Sequence, residues 1–466
     1  GINTINGATD PIYVVDGLIM DNYGGGFNAV NLNDVSSIEV LKDASATALY
    51  GSRAANGVVL ITTKKGKAGK LSVSYSGRIS YAQPTNLIDQ VTDYADYMEW
   101  LNESFENIGQ PNHFAQSTID LWREKSKDPN GLNENGVPNY IAYPNTDWQK
   151  ALFGHGLIND HNVSVNGGTE KLRILMSAGY LDDSGIIPGS GFTRFTGRAK
   201  ADYQAKKWLK VGANVAYTYY NIQSPSGQTT WGSSGNLFQL SNMIAPIYPV
   251  YVRNADGSIQ VDHRGLTVYD FGSSTNFVRP SMSGNPLGTL DLDKQNAYTD
   301  VINSKWYAIL TPIEGLSITA NIGANVRNQR SNELSNPFYG SSVSSGGAVY
   351  VAHYREFAIN QQYLASYKRT FADLHNFDVL AGYESYNLKL QELQGSNTKI
   401  YNPTIGELNN AIASPPRVAS FTNEYTTMGY LARIQYDYDE KYFVSASYRR
   451  DASSRFHPDN RWGNFG

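Results

Sequence analysis

The stretch from Ser37 to Gly66, SIEVLKDASATALYGSRAANGVVLITTKKG, decides how the N-terminal part of the chain folds. Its first residues, Ser37–Leu41, place β-branched residues on one face, which predicts a strand. The alanine-rich segment after Asp43 predicts a short helix, and Gly51 can take the left-handed conformation that ends it. Val58–Thr63 predicts a second, buried strand. The stretch is therefore predicted to be a small strand–helix–strand unit.

Two dipeptides predict tight turns around this unit. Asp16-Gly17 separates two apolar runs and is a strong hairpin signal, and Asn56-Gly57 precedes the second strand. Because the hairpin lies just before the unit, we expect the two to pair and residues 1–69 to form one compact domain. The side chains expected to fill the core of this domain are Val14, Ile38, Val40, Val59 and Ile61.

Composition favours a large β-structure for the remainder of the chain. The chain has 466 residues, 33 Tyr, 43 Gly and a net charge of −4, with no Cys and 7 scattered His. Such a length exceeds one ordinary core, which leaves two or three domains or one large barrel. The small net charge argues against nucleic acid as a partner, and no resident metal or cofactor is predicted. No apolar run approaches the roughly 18 residues of a membrane helix.

From Lys70 onward the pattern becomes that of long strands with one apolar and one polar face. Leu209–Tyr220 and Leu316–Arg327 are the clearest examples. Soluble sandwiches alternate too, but their strands are shorter. The joins alternate between tight and long, which is typical of an outer-membrane barrel. The eleven predicted strands lie near residues 70–81, 159–166, 171–183, 192–203, 209–222, 303–311, 316–330, 356–370, 376–391, 424–437 and 442–451.

The alternation also predicts which side chains face lipid, because charge at the bilayer midplane costs about 2–4 kcal/mol in a barrel. The residues expected to face the lumen are Lys210, Asn214, Asn321, Asn325, Arg433 and Arg449. The residues expected to face lipid are Leu209, Val211, Val215, Ile318, Ile322, Tyr430 and Ile434.

The long joins cover residues 82–158, 223–302, 331–355 and 392–423. Thr92–Ile108 in the first of them has helical periodicity and predicts a helix on the outer rim. Large rings in these joins would be costly to expose, so we expect them to pack on one another or on another protein. These rings include Trp231, Phe238, Tyr248, Tyr251, Tyr269, Phe271, Phe338 and Tyr339.

Motifs of the common enzyme classes do not occur in the sequence. It contains no Gly-x-Ser-x-Gly, no His-Glu-x-x-His and no dinucleotide fingerprint. Acidic pairs such as Asp182-Asp183 are expected by chance among 42 acidic residues, so a glycosidase has no specific support. Calcium at Asp291, Asp293 and Gln295 stays open, although the loop glycine and terminal glutamate of a calcium loop are missing. We therefore predict that the chain is not an enzyme.

Several segments resemble those of SusC/RagA-type TonB-dependent outer-membrane transporters. Pro11–Gly17 (PIYVVDG) resembles the plug motif of this family, and Asp34–Gly66 resembles its most recognisable signature. His161–Lys171 (HNVSVNGGTEK) and Arg449–Gly463 resemble segments of its barrel. The resemblance covers the whole chain.

This resemblance implies a mainly β fold, a transmembrane antiparallel β-barrel of about 22 strands with a small α+β plug inside its lumen. Residues 1–69 would belong to the plug, and residues 70–466 to about the first half of the barrel with long extracellular loops. The implied function is TonB-dependent import of a glycan or peptide across the outer membrane. The implied partners are a SusD-like surface lipoprotein, the TonB complex and the lipid bilayer. A surface adhesin or scaffold and a soluble carbohydrate-active protein are the alternatives.

Two further expectations concern the plug and the extent of the chain. The plug signature residues, with an expected structural or gating role, are Asp16, Gly17, Lys42, Asp43, Gly51, Arg53 and Gly57. Among them, the charged Lys42, Asp43 and Arg53 are expected to contact the barrel wall. Because bacterial barrels have even strand counts and an unpaired edge in lipid is costly, we also expect the chain to be part of a longer protein.

Overall fold

The computed structural model describes residues 11–20, 27–42, 56–224, 236–272, 284–338, 342–413 and 415–465. These residues form two separate sheets. The small sheet has the order β2-β1-β4-β3 and contains β1 (Ile12–Val15), β2 (Leu18–Met20), β3 (Val35–Leu41) and β4 (Val58–Thr63).

The hairpin predicted at Asp16-Gly17 is confirmed. Both residues have positive φ, 50° and 84°, which is the backbone that a two-residue hairpin turn requires. β1 pairs antiparallel with β2 and parallel with β4, so the hairpin joins the strand–helix–strand unit as expected. The helix predicted between Asp43 and Gly51 lies outside the described residues.

The core of the small sheet is narrower than the sequence suggested. Val14 and Ile61 are buried, and Val59 is half-buried. The prediction that Ile38 and Val40 are buried is wrong, since 47% and 55% of their surfaces are exposed. Both lie on β3, which is the edge strand of this sheet, so one side of the strand has no neighbour in the sheet. Alternation identified the strand but not its place in the sheet.

The large sheet has twelve antiparallel strands, each paired with its neighbours in sequence. It contains β5 (Gly69–Ala82), β6 (Gly156–Gly168), β7 (Leu172–Ser184), β8 (Gly191–Lys206), β9 (Leu209–Gln223), β10 (Lys294–Leu310), β11 (Leu316–Ser335), β12 (Ala348–Phe371), β13 (His375–Thr398), β14 (Arg417–Tyr438), β15 (Tyr442–Ser453) and β16 (Trp462–Phe465). All eleven predicted strands are present, and β16 is a twelfth, short strand that the sequence did not reveal.

Several strands extend further toward the long connections than predicted. β10 begins at Lys294 rather than near residue 303, and β12 begins at Ala348 rather than near residue 356. Beyond a bilayer both faces of a strand meet water, so the alternation that marks the membrane part disappears there. At the opposite end the turns are tight, and Asp439 and Glu440 both have positive φ, as in a two-residue hairpin.

The long connections carry the helices of the described residues. These are α1 (Tyr94–Asn107), α2 (Gln116–Lys125), α3 (Asn139–Ala142), α4 (Trp148–Leu152), α5 (Leu237–Met243) and α6 (Pro286–Leu292). Short 3-10 turns lie at Leu32–Asp34, before β3 of the small sheet, and at Val343–Ser345, Leu408–Asn410 and Pro458–Asn460. The helix predicted at Thr92–Ile108 is confirmed as α1, and Asp93 caps it by accepting the Ala95 N–H at 2.8 Å. None of the described helices has the length and apolar character needed to cross a membrane.

The two longest connections pack against each other around one apolar cluster, which we call the loop core. Its buried residues are Tyr94, Ala95, Met98, Phe114, Ile119, Trp122, Trp148, Leu240, Ile244, Ala245, Ile247 and Tyr248. Trp148 is 1% exposed and its indole N–H donates to the Ala245 carbonyl at 3.2 Å. Among the aromatic rings predicted to pack against protein, Tyr248 and Tyr269 are buried within the loops, whereas Phe238 is 38% exposed. Trp231 and Tyr339 lie outside the described residues.

The predicted faces of the large sheet are confirmed. Asn214, Asn321 and Arg449 are at most 9% exposed and lie on the face toward the small sheet. On the opposite face, Ile322 is 47% and Tyr430 is 52% exposed, although both are large and apolar. Such a surface, polar inside and apolar outside, is that of a barrel wall in lipid.

Candidate functional site

One row of cross-strand partners lies beneath the hairpin turn of the small sheet. Lys200 on β8 pairs with Asn214 on β9, which pairs with Lys305 on β10, which pairs with Gly323 on β11. Because directly opposed residues share a face, all four point toward the hairpin. The row therefore presents two ammonium groups and an amide to the small sheet, and its fourth position, a glycine, has no side chain.

Asp16, at the hairpin turn, contacts the first three members of this row. Its carboxylate accepts hydrogen bonds from the Asn214 amide at 2.7 Å and from the Lys200 ammonium at 3.4 Å. Its backbone carbonyl accepts one from the Lys305 ammonium at 2.6 Å. The fourth member, Gly323, receives the side chain of Leu18, and a Cβ at this glycine would collide with that leucine.

The small sheet itself holds the Asp16 carboxylate in place. The backbone N–H of Thr63, the last residue of β4, donates to Asp16 at 2.9 Å, and its hydroxyl donates at 2.5 Å. Thr63 is fully buried, and its hydroxyl also lies 3.2 Å from the Lys200 ammonium. The carboxylate is thus fixed before it meets the wall, which reduces the ordering that docking requires.

A second acidic residue binds the same part of the wall. The Asp34 carboxylate accepts a hydrogen bond from Arg198 Nε at 3.0 Å, and their side chains are only 5% and 7% exposed. Arg198 also donates to the side-chain oxygen of Asn214 at 3.0 Å, which links this pair to Asp16. We call Asp16, Asp34, Arg198, Lys200 and Asn214 together the ionic cluster.

Further hydrogen bonds continue the same interface toward the long connections. Arg194 donates to the Val30 carbonyl at 3.0 Å, and Thr218 donates to the Ala29 carbonyl at 2.9 Å. The Asn31 amide donates to the Thr196 hydroxyl at 3.1 Å. The interface between the two sheets is therefore held largely by hydrogen bonds and ion pairs, in which water can replace either partner.

Charge interactions determine the ionisation of Asp16. Burial disfavours its charged form, but the Lys200 ammonium, the hydrogen bonds from Thr63 and the Arg198 guanidinium outweigh burial and hold the pKa of Asp16 below its ordinary value of 3.8. Asp16 is therefore charged at neutral pH, and the cluster contains two carboxylates and two cations. A buried pair of this kind costs several kcal/mol to break by removing one partner.

A cavity of about 430 Å³ borders the ionic cluster on the side of the tight turns. Four lysines line it, Lys65, Lys200, Lys210 and Lys305, together with the acidic Asp16 and Asp202. The cavity gives water access to the hairpin from this side. No cluster of potential metal ligands occurs among the described residues.

Comparison with known proteins shows which proteins the chain resembles. Residues 1–58 match the TonB-dependent Receptor Plug Domain. The chain is 30% identical to the TonB-dependent receptor SusC of Bacteroides thetaiotaomicron over all of its length and 44% of that protein. It is 29% identical to the TonB-dependent receptor P39 of Formosa agariphila, again over its whole length and 40% of the relative. The chain is thus similar, along its whole length, to SusC/RagA-type TonB-dependent receptors.

Solved structures agree with this family. The RagAB peptide transporter superimposes with a TM-score of 0.76 at 25% identity, covering 98% of this chain and 50% of that one. The chain therefore spans less than half of the curated relatives and half of the solved receptor. Members of this family are outer-membrane β-barrels, so the apolar outer face of the large sheet is the face toward lipid.

The structure brings only part of the predicted plug signature into the interface. Asp16 and Gly17 lie at the hairpin on the wall, and Gly57 has a φ of 105° where a Cβ would approach the Leu41 carbonyl to 3.1 Å. Lys42 is exposed. The other predicted signature residues, Asp43, Gly51 and Arg53, lie outside the described residues, so the wall contacts expected of Asp43 and Arg53 remain predictions.

Sequence reasoning missed Asp34, Arg198 and Lys200 of the ionic cluster. One signal could have found the two cations, because Arg194, Arg198 and Lys200 all fall on the same face of β8. Three positive charges on one face of a strand in lipid must face the lumen and need acidic partners. No comparable pattern distinguishes Asp34, which lies in a short 3-10 turn.

Proposed function

We propose that this chain supplies the plug, residues 1–69, and the first barrel strands, within residues 70–466, of an active outer-membrane importer. The importer takes up a glycan or a peptide with energy delivered through TonB. The observation that carries the proposal is the ionic cluster, in which the plug hairpin is bound to β8 and β9 by charged and polar groups. An interface of this kind excludes leakage at rest, and water can replace its hydrogen bonds and ion pairs when the plug moves.

The strand order supports an orientation for the chain. Tight turns join the strands at one end of the large sheet, and the connections with helices lie at the other. Barrels in the outer membrane have short periplasmic turns and long extracellular loops. The loop core then stands outside the cell, and the lysine-lined cavity beside Asp16 opens toward the periplasm, where TonB acts.

The relatives support the substrate class and the partner. RagAB is described as a peptide transporter, and SusC is a TonB-dependent receptor. We infer a SusD-like surface lipoprotein that covers the loops and holds substrate above the plug. The self-packing of Tyr248 and Tyr269 means that such a lipoprotein would meet the remaining exposed rings, including Phe238, rather than the loop core.

The test separates transport from plug retention in the full-length protein. Cells that depend on it are grown on a panel of oligosaccharides and peptides as sole nutrient, with and without functional TonB. Growth on at least one nutrient only with TonB is expected. Growth that never depends on TonB, or on the protein, would overturn active import.

Plug retention is measured as ion conductance of the purified receptor in planar bilayers. Lys200→Met removes the cation beside Asp16 and leaves a buried carboxylate, so we expect open-channel events at least tenfold more frequent than in wild type. Lys207→Met, at the exposed turn between β8 and β9, is the matched control and should conduct like wild type. Equal conductance of the two variants would show that the ionic cluster does not retain the plug.

A further inference from the structure

A second concave site lies in the long connections, away from the plug. It is an open cleft of about 420 Å³ between residues 125–146 of the first long connection and residues 249–253 of the second. No residue of the small sheet lines it. Its volume falls within the range of small-molecule sites, roughly 300–1,000 Å³. The loop core lies directly behind it, because Tyr94 belongs to both.

Aromatic rings form the walls of the cleft. Tyr94 is buried and rigid, packed edge-on against Trp122 at 5.0 Å between ring centroids. Tyr143 packs edge-on against the same Trp122 at 5.6 Å. Tyr140 stands at the mouth with 41% of its surface exposed, opposite Tyr251. Rings held in this way give a ligand flat apolar faces at little cost in side-chain entropy.

The charged side chains that line the cleft are both cations, and one of them, Lys125, lies 3.5 Å from the exposed Glu124 carboxylate. Lys125 and Arg253 line the cleft, and no acidic side chain does. The Arg253 guanidinium lies 5.9 Å from the ring centroids of both Tyr140 and Tyr251, and it donates to the Gly257 carbonyl at 2.8 Å. Those contacts orient the guanidinium at the cleft, where its planar fork suits a carboxylate or sulfate.

Neutral polar groups complete the lining. Asn139 is 4% exposed, and its side-chain N–H donates to the Asp128 carbonyl at 2.8 Å. Its side-chain oxygen has no hydrogen-bond partner among the described residues. This oxygen is enclosed by protein atoms, so Asn139 positions the wall of the cleft through its hydrogen bond to Asp128. Asn145, Ser126 and Thr146 add further amide and hydroxyl groups to the cleft.

We propose that this cleft binds an anionic oligosaccharide, with sugar rings against the tyrosines and an acidic substituent on Lys125 and Arg253. Hydroxyl groups of the sugar pair with Ser126, Asn145 and Thr146. The site goes beyond the plug interface proposed above and requires only the folded loops, so it is tested by binding without transport.

The backbone around the cleft disfavours an extended peptide. The Val250 carbonyl accepts the Asp270 N–H at 3.1 Å, and the Val252 N–H donates to the Val268 carbonyl at 3.0 Å. These groups are therefore not free to pair with an added strand. The cleft also lacks an acidic side chain for the amino group of a peptide.

Isothermal titration of the full-length protein in detergent tests the proposal. The probe is a galacturonic acid hexasaccharide, and its fully methyl-esterified form is the neutral control with the same rings. The acid should bind at least tenfold more tightly than the ester and lose affinity as salt rises. Equal affinity for the two forms would overturn the anionic specificity, and stronger binding of a hexaglutamate peptide would overturn the saccharide class.

Matched variants locate the site. Lys125→Gln should weaken binding of the hexasaccharide acid about tenfold, whereas Lys127→Gln, two residues further along and outside the lining, should not. Tyr140→Ala should weaken both the acid and the ester, whereas Tyr401→Ala, at an 86% exposed ring on another loop, should weaken neither. If Lys125→Gln and Arg253→Gln both bind like wild type, the cleft is not the binding site.

Discussion

The loop core and the ionic cluster are both buried, yet they are held by opposite kinds of contact. The loop core joins two connections through aromatic and aliphatic side chains such as Trp148 and Leu240. The ionic cluster joins two sheets through carboxylates, cations and an amide. Apolar burial is lost on separation, whereas water replaces hydrogen bonds and ion pairs at a much smaller net cost. The difference indicates that the two connections of the loop core stay together permanently, whereas the two sheets joined by the ionic cluster can separate.

The largest effect is expected in the loop core. Trp148→Ala should cost about 3–5 kcal/mol, because it leaves a cavity at a side chain that is 1% exposed. Hydrogen exchange of the full-length protein in detergent should show lost protection in residues 94–152 and unchanged protection in the strands. Trp100→Ala, at a 63% exposed tryptophan of α1 in the same connection, is the control and should change little. Simultaneous loss of strand protection would contradict the independence of the two regions.

A somewhat smaller effect is expected in the ionic cluster. Arg198→Met should destabilise docking of the plug by about 3 kcal/mol, because the carboxylate of Asp34 stays buried without its cation. Hydrogen exchange of the amides in residues 27–42 measures this loss of docking stability. The double variant Asp34→Leu/Arg198→Met should recover most of it, since no charge is left unpaired. A double variant as unstable as the single one would show that the charge pair is not the cause.

Acid should act on the ionic cluster and spare the loop core. The pKa of Asp16 is lower in the docked state than its ordinary value, so its contribution to stability is complete above about pH 4 and is lost as pH falls further. Amide protection in residues 27–42 should therefore stay constant from neutral pH to about 4 and then decrease. Asp16→Asn should remove the part of the decrease that belongs to this residue. Amide protection that increases on acidification would contradict a lowered pKa of Asp16 in the docked state.

The smallest loss of stability is expected at an exposed ion pair. Arg330 and Glu407 join β11 to a neighbouring connection at 2.7 Å, but both side chains are 48% exposed. Removal of this pair by Arg330→Ala should cost less than about 1 kcal/mol in a denaturant titration, and salt should reduce even that. A cost similar to that of Arg198→Met would show that burial does not explain the strength of the ionic cluster.

Much of the fold follows from local pattern. The Asp16-Gly17 hairpin and the eleven strands were predictable because turn chemistry and period-2 alternation act over a few residues. Strand ends near the long connections were not, because both faces of β10 and β12 meet water there. The short β16 has four residues, too few to display a period.

The site was less predictable than the fold. Alternation places Asn214 on the lumen face but does not say that Asp16 is its partner, 198 positions away in sequence. The predicted burial of Ile38 was wrong for the same reason, because the order of strands in the small sheet depends on pairing between residues distant in sequence. Local sequence gives the face of each side chain, and the docking of one sheet on another gives its partner.

The contact between Lys305 and the carbonyl of Asp16 has a consequence for biogenesis. These residues are 289 positions apart, whereas the whole small sheet is contained between residues 12 and 63. Contacts between residues close in sequence form at a smaller loss of chain entropy than distant ones, so the plug sheet is expected to form before β10 is in place. Asp16 and Asp34 are then hydrated until their strands arrive, which keeps the early plug soluble. The wall is therefore built around a part that already exists, and the last bond of the plug forms late.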